Sequence, residues 1–154
     1  MELLRKLEAR MAVGNPIKVG IIGCGQMGSG LAHTISNIRG MQVQAIADIM
    51  PERGKDTLLA MGIPEERIRF TEKTGEAGDL IKKGIHIVTT DALLLTGLDL
   101  LDANVEATGV TDVGARVALS SIEHQKPIIM LNVETDVTIG AYLSQLARKK
   151  RTVY

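Results

Sequence analysis

Cysteine, aromatic side chains and net charge are all scarce in these 154 residues. The single cysteine, Cys24, cannot close an intrachain disulfide, which excludes the cystine-stapled scaffolds of small secreted proteins and predicts a reducing, cytoplasmic setting. Tryptophan is absent, and only Phe70, Tyr142 and Tyr154 are aromatic, too few to build the stacking platforms that hold single-stranded bases. Eighteen basic and eighteen acidic side chains cancel, leaving no long-range field for a polyanion. No nucleic-acid partner is expected. No apolar run approaches the roughly 18 residues of a membrane helix. The longest tight ones, such as 127–133, are strand-sized, so no membrane association is expected either. Glu2 and Glu8 interrupt the basic N-terminus, unlike a signal or transit peptide.

What remains is 45% hydrophobic and 23% charged, a composition sized for one domain with a proper core. Leu3, Leu4, Leu7 and Met11 recur at helical spacing, and Gly14, Asn15 and Pro16 end that helix. Residues 1–15 therefore read as an amphipathic helix and linker, able to cover either its own domain or a subunit partner. From residue 16 onward, apolar runs alternate with helical patterns. The candidate strands are Ile17–Ile22, Val43–Ala47, Ile85–Thr89, Asn104–Ala107 and Pro127–Leu131. Between them lie helical stretches at Gly28–Ile38, Pro51–Met61, Thr74–Lys83 and Val113–His124, with a last helix around Thr138–Lys150. Ala92–Leu95 is a candidate short helix within an ambiguous stretch. Near-continuous apolar strands separated by helices predict an α/β fold whose parallel sheet is covered on both faces. Thr152-Val153-Tyr154, after the basic run Arg148–Arg151, reads as the opening of another strand, and so as the front part of a longer protein.

Chemistry concentrates at the first strand-to-helix turn. Gly23-Cys24-Gly25-Gln26-Met27-Gly28 is a G-x-G-x-x-G that follows the strand Ile17–Ile22 and opens a helix. The first glycine permits a tight turn, the second lets the main chain approach a pyrophosphate, and the third lets helix pack on strand. The helix start then offers free N–H groups to the phosphates. Asp48 follows Gly28 by twenty residues, at the end of the second strand, where a carboxylate accepts from ribose hydroxyls. This combination predicts a doubly wound, Rossmann-type α/β/α domain over residues 16–154. The cofactor expected is NAD, with NADP second because Asp48 repels a 2′-phosphate. Arg53 is either a solvated arginine or a partner for adenine or phosphate.

Two further strand ends belong to the same edge: Thr108 and Gly109 with room for the nicotinamide ribose, and Asn132 and Glu134 with polar groups for ribose, carboxamide or substrate. Turn chemistry and helix capping account equally for Thr108, Asp112 and Asp136. No catalytic residue is assigned and no metal site is expected. His33, His86 and His124 read as structural, Glu134 is the one internal acid to watch, and Cys24 fills a tolerant motif position rather than serving as a redox sensor.

The stretch from Pro16 to Gly23 through Asp48, then Val105-Glu106-Ala107-Thr108-Gly109, then Met130-Leu131-Asn132-Val133-Glu134 with Asp136 and Val137, resembles the cofactor domain of homoserine dehydrogenase-like oxidoreductases. The likeness is to the branch that carries a C-terminal SAF domain and includes deoxyxylulose phosphate reductoisomerase-like proteins. The resemblance implies a cofactor lined by Gly23, Gly25, Gln26, Met27, Gly28, Asp48, Thr108 and Gly109, with Asn132 and Glu134 near the nicotinamide end. It also implies a small-molecule substrate and a longer, homo-oligomeric protein whose catalytic region lies outside this chain. One departure stands out: homoserine dehydrogenases place lysine after the strand-five asparagine, where Val133 follows Asn132 here, which argues against homoserine itself. Two other classes fit the same motif, a non-catalytic sensor of NADH/NAD and a CoA-binding module.

Overall fold

The computed structural model describes residues 2–154. Helices and strands alternate in the order α1 (Glu2–Ala12), β1 (Ile17–Ile22), α2 (Gln26–Ser36), β2 (Met41–Ala47), α3 (Pro51–Ala60), a 3-10 turn (Glu65–Arg67), β3 (Ile68–Phe70), α4 (Thr74–Lys82), β4 (His86–Thr89), α5 (Ala92–Thr96), β5 (Ala103–Glu106), α6 (Thr111–Glu123), β6 (Ile128–Met130) and α7 (Val133–Lys150). Every strand pair is parallel, and the strand order is β3-β4-β2-β1-β5-β6. The expected doubly wound sheet is thus present, with helices on both faces.

Period-two alternation divides the core between those faces. Val19, Ile21, Ile46 and Val88 pack with Ala32 and Ile35 of α2 and Leu58 of α3. Ile22, Ala45, Ala47, Ile87 and Ile128 turn the other way, onto Ile81 of α4, Leu95 of α5, Ile122 of α6 and Leu143 of α7. Each fully buried Ile or Leu in these layers contributes about 1.5–3 kcal/mol by leaving water.

Several boundaries shift by one to a few residues from the sequence reading, and two differences have a clear local reason. The sheet has six strands, not five: β3 is a three-residue edge strand whose Arg69 and Phe70 are exposed, so it lacks the apolar run of a central strand. The last helix begins at Val133 rather than near Thr138, because Asn132 Oδ1 accepts from the Thr135 N–H at 3.1 Å and caps it. The candidate short helix after β4 is present as α5, one residue longer than Ala92–Leu95 and capped by Asp91, which accepts from the Leu93 N–H at 2.9 Å. Thr152-Val153-Tyr154 runs beside the outer edge of β6, where the Ile128 N–H donates to the Val153 carbonyl at 3.0 Å.

Helix α1 is fastened at the N-terminal edge of the sheet. Arg10 reaches Asp102 at 3.0 Å, and the other Asp102 oxygen accepts from the Lys18 N–H at 2.8 Å. Of the apolar stripe only Leu7 is buried; Leu3, Leu4 and Met11 face outward. The opposite edge, at the strand C-termini, is left free for the glycine turn.

Candidate functional site

Parallel strands end together, so the turns after β1, β2, β4 and β5 meet at one edge of the sheet. β1 sits in the middle of the order, with β2 on one side and β5 on the other. The crossover from β1 leaves over one face, and that from β5 over the opposite face, which opens a crevice between them. A cleft of about 180 Å³ occupies that place, lined among others by Gly23, Gly25, Asp48, Arg53, Thr90, Thr108 and Val110. Two wider surface clefts, of about 360 and 470 Å³, lie beside the edge strand β3 and near the end of α1. Neither contains the glycine turn.

The three motif glycines differ in what requires them. Gly23 has φ +88, and a Cβ there would stand 2.7 Å from Thr108 main-chain atoms, so both conformation and packing demand glycine. At Gly28 a Cβ would run into the Gly23 carbonyl oxygen. Gly25 has an ordinary φ of −75° and open space around it, with nothing within 4 Å of where a Cβ would stand. Neither packing nor φ requires glycine at position 25, and Gly30, Gly75 and Gly78 have the same open space; what sets Gly25 apart is its place at the uncapped start of α2, lining the cleft.

Gly25 is also the N-cap of α2, with no side-chain cap and no acidic residue in the first turn. The first i→i+4 bond runs from the Ser29 N–H to the Gly25 carbonyl at 2.9 Å. The N–H groups of Gln26, Met27 and Gly28 are therefore left without helical partners, at the positive end of the helix dipole. Gln26 and Met27 are exposed, Met27 to 66%.

Asp48 stands at the end of β2, 8% exposed, and its carboxylate grips the turn directly. Oδ2 accepts from the Cys24 N–H at 2.6 Å, and Oδ1 accepts from the Met50 N–H at 2.8 Å. Each oxygen keeps a second acceptor direction. Arg53, exposed on α3, lines the same cleft and makes no ion pair among the described residues. Cys24 points away from the cleft: its thiol meets Thr57 Oγ1 at 3.1 Å, and burial pushes its pKa up. That environment opposes thiolate chemistry, in keeping with the motif-filler reading.

On the other side, Thr108 lines the cleft and Gly109 follows it with φ +69. Asn132 and Glu134 stand apart from these lining residues. Asn132 is 1% exposed and occupied, capping α7 with Oδ1 while Nδ2 donates to the Val110 carbonyl at 3.1 Å. Glu134 is exposed on the first turn of α7. Thr90, Ala92, Val110 and Val113 also line the cleft, and the sequence reading did not include them. The polar break Thr89-Thr90-Asp91 after the apolar run of β4 is the signal that marks this strand end. His86 Nδ1–H donates to the Val43 carbonyl at 2.8 Å, near the far edge, and burial holds its pKa down.

No family model matches the chain. A glycosyl hydrolase family 109 protein of Porphyromonas gingivalis is 42% identical over 52 residues, which is 32% of this chain and 11% of that protein. The fold is similar to an oxidoreductase from Agrobacterium radiobacter solved with NAD+, L-tartaric acid and magnesium, with TM-score 0.66, 17% identity, and coverage of 90% of this chain and 34% of that one. It is similar to biliverdin reductase from Synechocystis sp. PCC 6803, solved with biliverdin and NADP+, at TM-score 0.65 and 16% identity, covering 90% and 37%. Myo-inositol dehydrogenase from Lactobacillus casei, solved with NAD(H) and myo-inositol, gives TM-score 0.56 and 18% identity, covering 80% and 34%. The chain spans about a third of the length of these structures, and its fold is the Rossmann-type fold that they carry over that third.

Proposed function

We propose that this chain is the NAD(P)-binding domain of an oxidoreductase, with NAD the preferred form, and that its substrate is a small polar hydroxy or carbonyl compound. The observation that carries the reading is Gly25, a glycine that neither conformation nor packing requires, set at an uncapped helix N-terminus. The pyrophosphate would lie against Gly25 and the free N–H groups of α2. Asp48 would accept from the ribose on the β2 side, and Thr108 and Gly109 would face the half of the dinucleotide on the β5 side. A nicotinamide dinucleotide supplies the hydride donor or acceptor; the residues of this chain bind and orient it. Structural neighbours solved with NAD+, NADP+ and NAD(H) support the class. The finer assignment, a homoserine dehydrogenase-like branch, rests on the segments Val105–Gly109 and Met130–Glu134, and Val133 keeps homoserine itself out of it.

A second reading, a non-catalytic nucleotide sensor, draws on one observation. Asp48 and Arg53 are the ionisable residues lining the cleft, and both sit on its β2 side. Proton transfer to a substrate needs an acid or base near the reacting carbon. We therefore expect this chain to bind cofactor without turning substrate over, the proton donor being supplied from outside it. Titration with NADH, followed by nicotinamide fluorescence, should saturate with one ligand per chain. No binding at millimolar NADH overturns both readings.

A further inference from the structure

At the C-terminal end of β5 the chain buries a carboxyl group completely: Glu106 has 0% exposure. Burial there is costly unless its oxygens are matched. Oε1 is matched twice over, accepting from the Thr108 N–H at 2.9 Å and from the Thr108 hydroxyl. Thr108 Oγ1 in turn accepts from the Val110 N–H at 3.2 Å. Glu106 Oε1 and Thr108 Oγ1 in series thus close the turn over residues 106–110.

The surrounding residues make room for this group and brace it. Among the described residues Oε2 has no hydrogen-bond partner, and it lies at the start of α6, where a Cβ on Gly114 would stand 3.1 Å from it and 2.8 Å from Asn132 Nδ2. Glycine at 114 is therefore the space that Glu106 and Asn132 fill. Asn132 Nδ2 holds the Val110 carbonyl at 3.1 Å, and Thr135 Oγ1 donates to the Thr111 carbonyl at 3.0 Å, tying the start of α7 to the same turn. On its inner side the turn abuts the glycine loop through Thr108 and Gly23, and the Ala107 N–H donates to the Ile22 carbonyl at 2.7 Å.

From this arrangement we infer that Glu106 is a positioning residue of the cofactor cleft: through Thr108 it fixes the β5 wall against which the half of a dinucleotide beyond the pyrophosphate is received. The inference rests on the proposed NAD(P) site. It explains why a buried acid stands where an apolar residue would pack at no polar cost. Preorganising one wall reduces the ordering that binding must otherwise supply.

Comparison of two probes tests it. ADP reaches the Asp48 side and the glycine turn, whereas NADH also reaches the β5 wall. Glu106→Ala should weaken NADH about ten-fold, the loss of roughly one hydrogen bond's worth of organisation, while ADP affinity stays within about two-fold. Glu106→Gln, which preserves shape and one acceptor, should lose about three-fold and serves if the alanine variant does not fold. Thr108→Val should match the Glu106 losses without adding to them in the double variant, and Thr108→Ser should restore wild-type binding. Equal losses for ADP and NADH would show a general effect on folding and overturn the inference. So would unchanged NADH affinity in Glu106→Gln and Thr108→Val. A wild-type chain that binds neither probe overturns the cleft assignment itself, a result distinct from both.

Discussion

Substituting the glycines of the β1–α2 turn one at a time separates the space proposed for a ligand from the space the fold needs. At Gly25 an alanine meets open solvent and an allowed φ. Two small effects oppose each other: alanine is a poorer N-cap than glycine, by about 0.5–1 kcal/mol, and it has less chain entropy to lose on folding, worth about 0.4–1 kcal/mol. The net change is within about 1 kcal/mol, and for a chain of this length that moves Tm by about 2–4 °C at most. Gly28→Ala instead drives a Cβ against the Gly23 carbonyl oxygen, a main-chain atom that cannot swing aside. Overpacking of that kind costs about 2–3 kcal/mol, a fall in Tm of about 5–10 °C. Gly23→Ala adds strain at φ +88 to contact with the Thr108 main chain and should be the worst of the three.

Binding should rank the same positions differently. Gly25→Val should leave the fold intact but sets a branched side chain in the proposed pyrophosphate site. It should weaken NADH by about 100-fold or more, equivalent to about 2.7 kcal/mol. Thermal melts without ligand and fluorescence titrations with NADH give the two readouts. The reasoning is refuted if Gly25→Val binds NADH as tightly as the wild type, or if Gly25→Ala melts as low as Gly28→Ala.

Three other outcomes are expected. Calorimetry should show NAD(H) binding at least about ten-fold tighter than NADP(H), since Asp48 opposes a 2′-phosphate at the β2 end; the reverse order removes that role from Asp48. Burial is the largest influence on His86; against the opposing hydrogen bond to the Val43 carbonyl, and with a smaller push from Arg67, it holds the pKa below its ordinary value. The unfolded chain therefore binds the extra proton as pH falls through about 6.5, and stability should drop below that pH by no more than about 1.4 kcal/mol per unit. Urea midpoints between pH 7 and 5 should show this slope, reduced in His86→Gln; equal slopes in both proteins refute the assignment. Cys24, buried against Thr57 with its thiol pKa raised, should resist a disulfide reagent in the native protein and react promptly in denaturant. Rapid native labelling would contradict the placement of its sulfur.

Features that depend on a few adjacent residues were legible in the sequence; features that join distant ones were not. The glycine turn, the strand before it and Asp48 at the end of the second strand are short-range patterns, and the structure brings them into one cleft. The edge strand Ile68–Phe70 was missed because edge residues need no apolar run, and β4, which pairs with it, comes later in the chain. Asn132 was open to a ligand role because its sequence neighbours do not reveal that its amide spans to Val110, 22 residues away. Likewise the bond from Asp48 to the Cys24 N–H crosses 24 residues and makes the carboxylate part of the turn that it faces.

Glycine shows the limit most sharply. Gly25 and Gly114 are the same letter, each near the start of a helix, yet one leaves its space empty while the other's is filled by Glu106, Asn132 and Thr135. The filled space at 114 is kept small by the protein's own packing, whereas the open space at 25 is the one proposed to be kept for a ligand. Because the two causes predict opposite results for an added methyl group, stability lost at 114 and binding lost at 25, a pair of alanine substitutions distinguishes them without reference to any related protein.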